Sequence, residues 1–80
     1  MDNELICFLD MFSSDAQVIY PDSTKERIPS SGAIEYLYEV CKDENLKTLH
    51  LLGNKKYLEG LVEQNPPINY GCGKIEIKVN

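Results

Sequence analysis

Residues 4–12 read ELICFLDMF, and the conformation of this stretch decides which fold the chain adopts. Four of its apolar residues recur at the spacing of one helical face, namely Leu5, Phe8, Leu9 and Phe12. Read as a strand, the same residues form an unbroken apolar run that requires burial on both faces. Because a chain of 80 residues supplies little material for such double burial, we predict a helix here and keep the strand as the alternative.

The middle of the chain carries clearer local patterns. Residues 16–20 (AQVIY) are rich in β-branched residues and are followed by a proline, which predicts a strand. Residues 25–28 either return as a short strand or lead into the next element. A helix is predicted after Pro29, with Ser30 or Ser31 as its cap. Its apolar stripe at helical spacing consists of Ile34, Leu37, Tyr38 and Cys41.

The hydrophobic period changes after residue 46. Residues 46–52 (LKTLHLL) predict a strand, and the following Gly53-Asn54 is typical of a two-residue hairpin turn. Residues 56–64 are predicted to return as a strand because Gly60 weakens a helix. A helix over residues 55–64 is the alternative. A last strand is predicted where apolar residues alternate with charged ones, at Ile75, Ile77 and Val79.

These elements predict one domain over residues 1–80. Their order is a helix, a strand, a helix and a three-strand meander. The α+β arrangement that suits this order is a curved antiparallel sheet with the helices packed on one face.

Composition excludes several classes of function. The chain carries 8 Lys and Arg against 13 Asp and Glu, a net charge of −5, and the cations are scattered, so we expect no nucleic-acid partner. No apolar run is long enough for a membrane span, and the amino terminus lacks the basic region of a secretory signal. Three widely spaced cysteines fit neither a disulfide framework nor a zinc site. We expect a cytoplasmic protein with reduced thiols and no metal or cofactor.

Over residues 8–40, a small set of residues forms a recognisable pattern: Phe12, then Asp15-Ala16-Gln17-Val18, Pro21 and Gly32-Ala33-Ile34. This pattern is similar to the opening of the nuclear-transport-factor-2-like superfamily, which includes the SnoaL-like and ketosteroid-isomerase-like proteins. The resemblance implies a cone-like fold whose curved sheet and helices enclose one apolar pocket, often in a homodimer. It also implies that any catalysis would be cofactor-free proton transfer, isomerisation or dehydration.

The resemblance points to a pocket for a small apolar or mixed-polarity ligand. Where the isomerase branch has its general-base Asp, just before the loop proline, this chain has Tyr20, whose phenol is a poor base at neutral pH. We therefore assign no catalytic residue. The candidate polar groups of the pocket are Tyr20, Tyr38, His50 and Tyr57.

A second functional hypothesis is a non-enzymatic protein-binding or assembly module, in which the sheet serves as a dimer or partner surface. An enclosed cavity with convergent polar groups would favour the ligand pocket. A flat, uncovered apolar patch would favour the assembly module.

The alternative conformations of residues 4–12 and 55–64 lead to a different fold. The order then becomes three strands, helix, strand, helix and strand, which looks like a reduced ribonuclease H-like α/β fold. Asp10, Glu35 and Asn54 would fall near that family's acidic positions. Because two-metal cleavage needs several convergent carboxylates and Asn54 is not one, we expect no nuclease activity even with this fold.

Overall fold

In the computed structural model, which describes residues 3–80, residues 4–8 form a strand and not the predicted helix. The described part of the chain contains five strands, two helices and one 3₁₀ turn. In chain order they are β1 (Glu4–Phe8), β2 (Asp15–Ile19), β3 (Lys25–Pro29), α1 (Ala33–Asp43), β4 (Thr48–Leu52), α2 (Lys55–Gln64), the 3₁₀ turn (Pro67–Tyr70) and β5 (Glu76–Val79).

The strands form one mixed sheet in the order β3-β2-β1-β4-β5. β1 pairs antiparallel with β2, and β2 pairs antiparallel with β3. β4 lies parallel to both β1 and β5. The predicted antiparallel sheet and three-strand meander are therefore wrong. The physical reason is that helices connect β3 to β4 and β4 to β5, and parallel neighbours require such crossovers.

Both helices pack on one face of the sheet. The connections β3–α1–β4 and β4–α2–β5 advance in the same direction along the sheet. Right-handed crossovers of this kind place their helices on the same side. Accordingly, alternate residues of the central strands are buried on one face of the sheet, and the fully buried strand residues are Leu5, Cys7, Val18, Leu49 and Leu51. Leu37 and Leu58 join them from α1 and α2 in a single core. The predicted α+β class is confirmed.

The prediction of a helix over residues 5–12 is wrong because long-range pairing outweighs the local pattern. β1 lies in the centre of the sheet and is hydrogen-bonded on both sides, to β2 and to β4. Of the apparent helical stripe, Leu5 and Leu9 are buried, but Phe12 lies in the following loop and is 90% exposed. The helical spacing of these apolar residues therefore does not reflect a helix, because the residues are divided between β1 and the loop that follows it.

The hairpin prediction at Gly53-Asn54 is also wrong. Asn54 is the N-cap of α2, and its Oδ1 accepts a hydrogen bond from the backbone N–H of Tyr57 at 2.9 Å. This cap stabilises the first turn of a helix. The Gly-Asn pair therefore connects strand β4 to helix α2 and does not connect two antiparallel strands.

Most of the remaining predictions of local secondary structure are confirmed. The strands near residues 16–20, 25–28, 46–52 and 75–79 and the helix after Pro29 are all present. The cap of α1 is Gly32, in a left-handed conformation, and not Ser30 or Ser31. The element order is the one that the ribonuclease H-like alternative predicts. Neither α1 nor α2, nor any other helix within residues 3–80, has the length and apolar character that crossing a membrane requires.

Gly53 permits the close approach of the ends of β1 and β4. A β-carbon at Gly53 would stand 2.3 Å from the backbone oxygen of Leu9. Because a backbone atom cannot move aside as a flexible side chain does, Gly53→Ala should destabilise the fold by about 2 kcal/mol or more. Urea unfolding followed by circular dichroism measures this loss.

Gly60→Ala is the matched control. Gly60 lies within α2, and a β-carbon there would meet no atom within 4 Å. We expect this substitution to stabilise the protein by about 0.5–1 kcal/mol, since Ala is the better helix former. Equal effects of the two substitutions would contradict the close contact at Gly53.

Candidate functional site

The sheet has an open face, defined here as the side that carries the outward-pointing strand residues and no helix. Its centre is an apolar patch formed by Ile6, Phe8, Ile19 and Leu52. Ile6 lies opposite Ile19, and Phe8 lies opposite Leu52, so the patch spans three neighbouring strands. Phe8 is 46% exposed and the other three are half-buried. A contiguous apolar patch on an uncovered sheet is typical of an interaction surface.

Charged residues surround the apolar patch in equal numbers of each sign. The register places three cations and three anions on the open face: Lys25, Arg27 and Lys78, and Glu4, Asp15 and Glu76. His50 also lies on this face, and its Nδ1 is 3.3 Å from a carboxylate oxygen of Glu4. The formal charges of the three Lys and Arg residues and the three Asp and Glu residues on the open face cancel, whereas the whole chain carries −5.

A second surface feature is a groove of about 690 Å³ between the end of α1 and the loop that precedes β5. Lys42, Lys47 and Lys74 line it, so we call it the lysine groove. Its apolar walls include Leu46, Ile68 and Ile75, and the thiols Cys41 and Cys72 also belong to its lining. No sequence pattern predicted this convergence, because the two lining segments lie more than 20 residues apart in the chain.

Tyr20, the first candidate pocket residue, belongs to a polar cluster that sequence reasoning missed. Its hydroxyl donates to Oε1 of Glu26, and the hydroxyl of Tyr36 donates to the same oxygen at 2.9 Å. Desolvation, and then the bond to Glu26, raise the pKa of Tyr20 well above its usual range. The two phenols lower the pKa of Glu26. The cluster thus holds two protonated phenols against one carboxylate. These hydrogen bonds link the end of β2 to β3 and α1.

Tyr38 is a core residue. It is fully buried, and its hydroxyl donates to the backbone oxygen of Asn65 at 2.6 Å. Its ring packs against that of Tyr70, with 5.3 Å between ring centroids. Burial raises the pKa of Tyr38 to about 12. These contacts connect α1 to the end of α2 and to the 3₁₀ turn, so Tyr38 contributes to packing.

The four candidate pocket residues do not converge. His50 lies on the open face, whereas Tyr38 lies in the core on the opposite side of the sheet. Tyr57 is half-buried in the first turn of α2. Tyr20 lines a shallow depression beside Pro21. The structure therefore distributes these side chains over four separate places.

Two of the three residues at the acidic positions of the ribonuclease H-like alternative, Asp10 and Asn54, make local hydrogen bonds to the backbone. Oδ1 of Asp10 accepts a hydrogen bond from the backbone N–H of Phe12 at 3.0 Å, and Asn54 caps α2. Glu35 is exposed in the first turn of α1. Among residues 3–80 there is no group of three or more metal-ligating side chains.

Comparison with protein-family models, curated proteins and solved structures finds no match. The resemblance to the nuclear-transport-factor-2-like superfamily therefore stays a prediction. Function has to be inferred from the open face, the lysine groove and the polar clusters themselves.

The buried thiols lead to a prediction about alkaline pH. Burial raises the pKa of Cys7 to about 11 and that of Cys41 to about 12, from their ordinary value of about 9. Above about pH 9 the unfolded chain loses these protons while the folded protein keeps them. Stability should therefore be intact below about pH 9 and fall as the pH rises toward 11–12. Urea unfolding at about pH 8 and about pH 10 measures the loss.

Cys41→Ala identifies the source of this loss. The variant should be less stable at both pH values because it leaves a small cavity. Between about pH 8 and about pH 10, the free energy of unfolding of the variant should fall by about 1.4 kcal/mol less than that of the unsubstituted protein, since one titrating thiol is gone. An undiminished difference would show that other groups cause the alkaline destabilisation.

Proposed function

We propose that this protein is an assembly module that forms a homodimer by packing its open face against the same face of a second copy. The observation that supports this proposal is the apolar patch of Ile6, Phe8, Ile19 and Leu52 on the side of the sheet that carries no helix. A sheet usually buries its apolar residues against another layer. The second copy would supply that layer, at the spacing of about 10 Å typical of stacked sheets.

The charges of the open face favour a second copy over a strongly charged partner. Two copies with a net charge of −5 each repel one another at long range. The open face itself is neutral, because its three cations and three anions cancel. Two such faces can therefore approach with little local repulsion, and the mixed charges at the border allow complementary pairs across the interface.

The size of the open face sets the expected strength of the dimer. Four strands of five residues and one of four cover about 24 by 17 Å, or roughly 400 Å² per copy. A standard interface buries about 800 Å² per partner. Since the open face is about half as large, we expect a weak, reversible dimer that dissociates on dilution through the micromolar range.

The small-ligand pocket implied by the resemblance receives less support. It would require polar groups that converge in a cavity, and the candidates predicted for it lie apart, with His50 and Tyr38 on opposite sides of the sheet. Among residues 3–80, the candidates Tyr20, Tyr38, His50 and Tyr57 form no shared site at which isomerase-type or dehydratase-type chemistry could be proposed. The assembly module is for this reason the function that we prefer.

Phe8→Lys tests the dimer. The substitution places a charge in the centre of the apolar patch, where burial without a partner is costly. We expect the dimer to weaken by a factor of at least about 30, which corresponds to about 2 kcal/mol. Sedimentation equilibrium over a range of protein concentrations measures the change.

Phe12→Lys is the matched control, because Phe12 is 90% exposed in the loop after β1 and lies outside the strands. It introduces the same charge and should leave dimerisation unchanged. Thermal unfolding of both variants verifies that they remain folded. If the unsubstituted protein is monomeric up to millimolar concentration, or if both variants weaken the dimer equally, the proposal is wrong.

A further inference from the structure

We propose that the lysine groove binds a small organic phosphate, a phosphate monoester on an apolar body. This site is separate from the open face. The lysine groove lies at the start of β4 and β5, whereas Phe8 and Leu52 are the last residues of β1 and β4. The two proposals can therefore fail independently.

The charge of the lysine groove is opposite to that of the chain. Three of the eight cationic residues line it, and no Asp or Glu belongs to its lining. Within residues 3–80, none of Lys42, Lys47 and Lys74 forms an ion pair. In a chain of net charge −5, a concavity lined by three lysines and by no carboxylate favours the approach of anions, even with Glu39 and Glu44 near enough to act on its thiols Cys72 and Cys41.

The position of Lys42 brings one of these charges to the inside of the lysine groove. Its Nζ lies beside Gly71, where a β-carbon would be 3.5 Å from the ammonium nitrogen. Its charge also acts on Cys72, whose pKa is raised mainly by burial while Lys42 opposes the rise. The ammonium nitrogen of Lys42, an exposed residue, thus lies near the Gly71–Cys72 backbone.

Backbone donors add to the site. Gly73 and Lys74 both line the lysine groove, and their N–H groups donate no hydrogen bond to any atom of residues 3–80. The neighbouring N–H groups are occupied, since Cys72 donates to the oxygen of Pro67 and Ile75 donates to that of Cys72. Two consecutive N–H groups without a protein acceptor, in a groove lined by three lysines, suit an anion with several acceptor oxygens.

The walls of the lysine groove explain why the ligand needs an apolar body. Leu46 and Ile75 are half-buried, and Ile68 is 72% exposed although it is a large apolar side chain. Burying the exposed part of Ile68 against an apolar ligand would contribute about 25 cal/mol per Å². The volume of about 690 Å³ lies within the usual range for small-molecule sites. Three cations favour a phosphate over a carboxylate because a phosphate monoester carries nearly two negative charges at neutral pH.

The test is a titration of the protein with three probes: 1-naphthyl phosphate, inorganic phosphate and 1-naphthol. Two-dimensional amide NMR spectra report both affinity and location. We expect 1-naphthyl phosphate to bind at least about tenfold more tightly than either of the other two, since it alone carries both the anionic and the apolar part. The amide signals of Gly71, Cys72, Gly73 and Lys74 should shift.

A pair of double variants separates the local site from the overall charge. Lys47→Gln with Lys74→Gln removes two cations from the lysine groove and should weaken 1-naphthyl phosphate binding at least about tenfold. Lys55→Gln with Lys56→Gln removes two exposed cations from the first turn of α2 and should change the binding by less than about twofold.

Three results would overturn the proposal. One is the absence of amide shifts at millimolar 1-naphthyl phosphate. Another is equal binding of 1-naphthol and 1-naphthyl phosphate, which would show that the phosphate contributes nothing. The third is an equal loss of affinity in the two double variants, which would show that binding depends on the net charge of the protein and not on the lysine groove.

Discussion

The parallel pairing of β1 with β4 is the interaction on which the rest of the structure depends. Residues 4–8 pair in register with residues 48–52, across more than 40 residues of chain. This pairing joins the antiparallel strands β1 to β3 to the parallel pair β4 and β5. It also requires the chain to cross over the sheet, which places α1 on one face. Without β1 in the centre, β4 would have no partner on its inner side and the core would lose Leu5 and Cys7.

One consequence is a domain of two layers. Both helices lie on the same face, and the shortest dimension of the molecule is 19 Å, about the thickness of one sheet and one layer of helices. At the β3 edge of the sheet, the carboxylate of Glu26 lies on the helix side and accepts hydrogen bonds from two tyrosine hydroxyls. The opposite face has no such cover. Its centre is apolar, and its charged residues of opposite sign are equal in number.

A second consequence is the lysine groove. The crossover to β4 ends at residues 45–47, and the path from α2 to β5 passes through the 3₁₀ turn and the loop at residues 71–75. Because β4 and β5 are parallel neighbours, the loops that precede them meet at the same end of the sheet. This topology brings Lys74 to the segment that carries Lys42 and Lys47.

The sequence by itself determined the elements with unambiguous local patterns. The helix at residues 33–43 follows from one apolar stripe, and the strands near residues 16–20 and 76–79 follow from β-branched or alternating residues. His50 shares its face with Thr48 and Leu52 because side chains alternate along a strand. Tertiary structure decided the conformation of residues 4–12 and 55–64, the direction of β4 and β5, and both candidate sites. The physical reason is that the apolar spacing in those two stretches fits both a helix and a strand. Hydrogen bonds to β2 and β4 select the strand at residues 4–8, whereas the Asn54 cap and the burial of Leu58 in the core select the helix at residues 55–64.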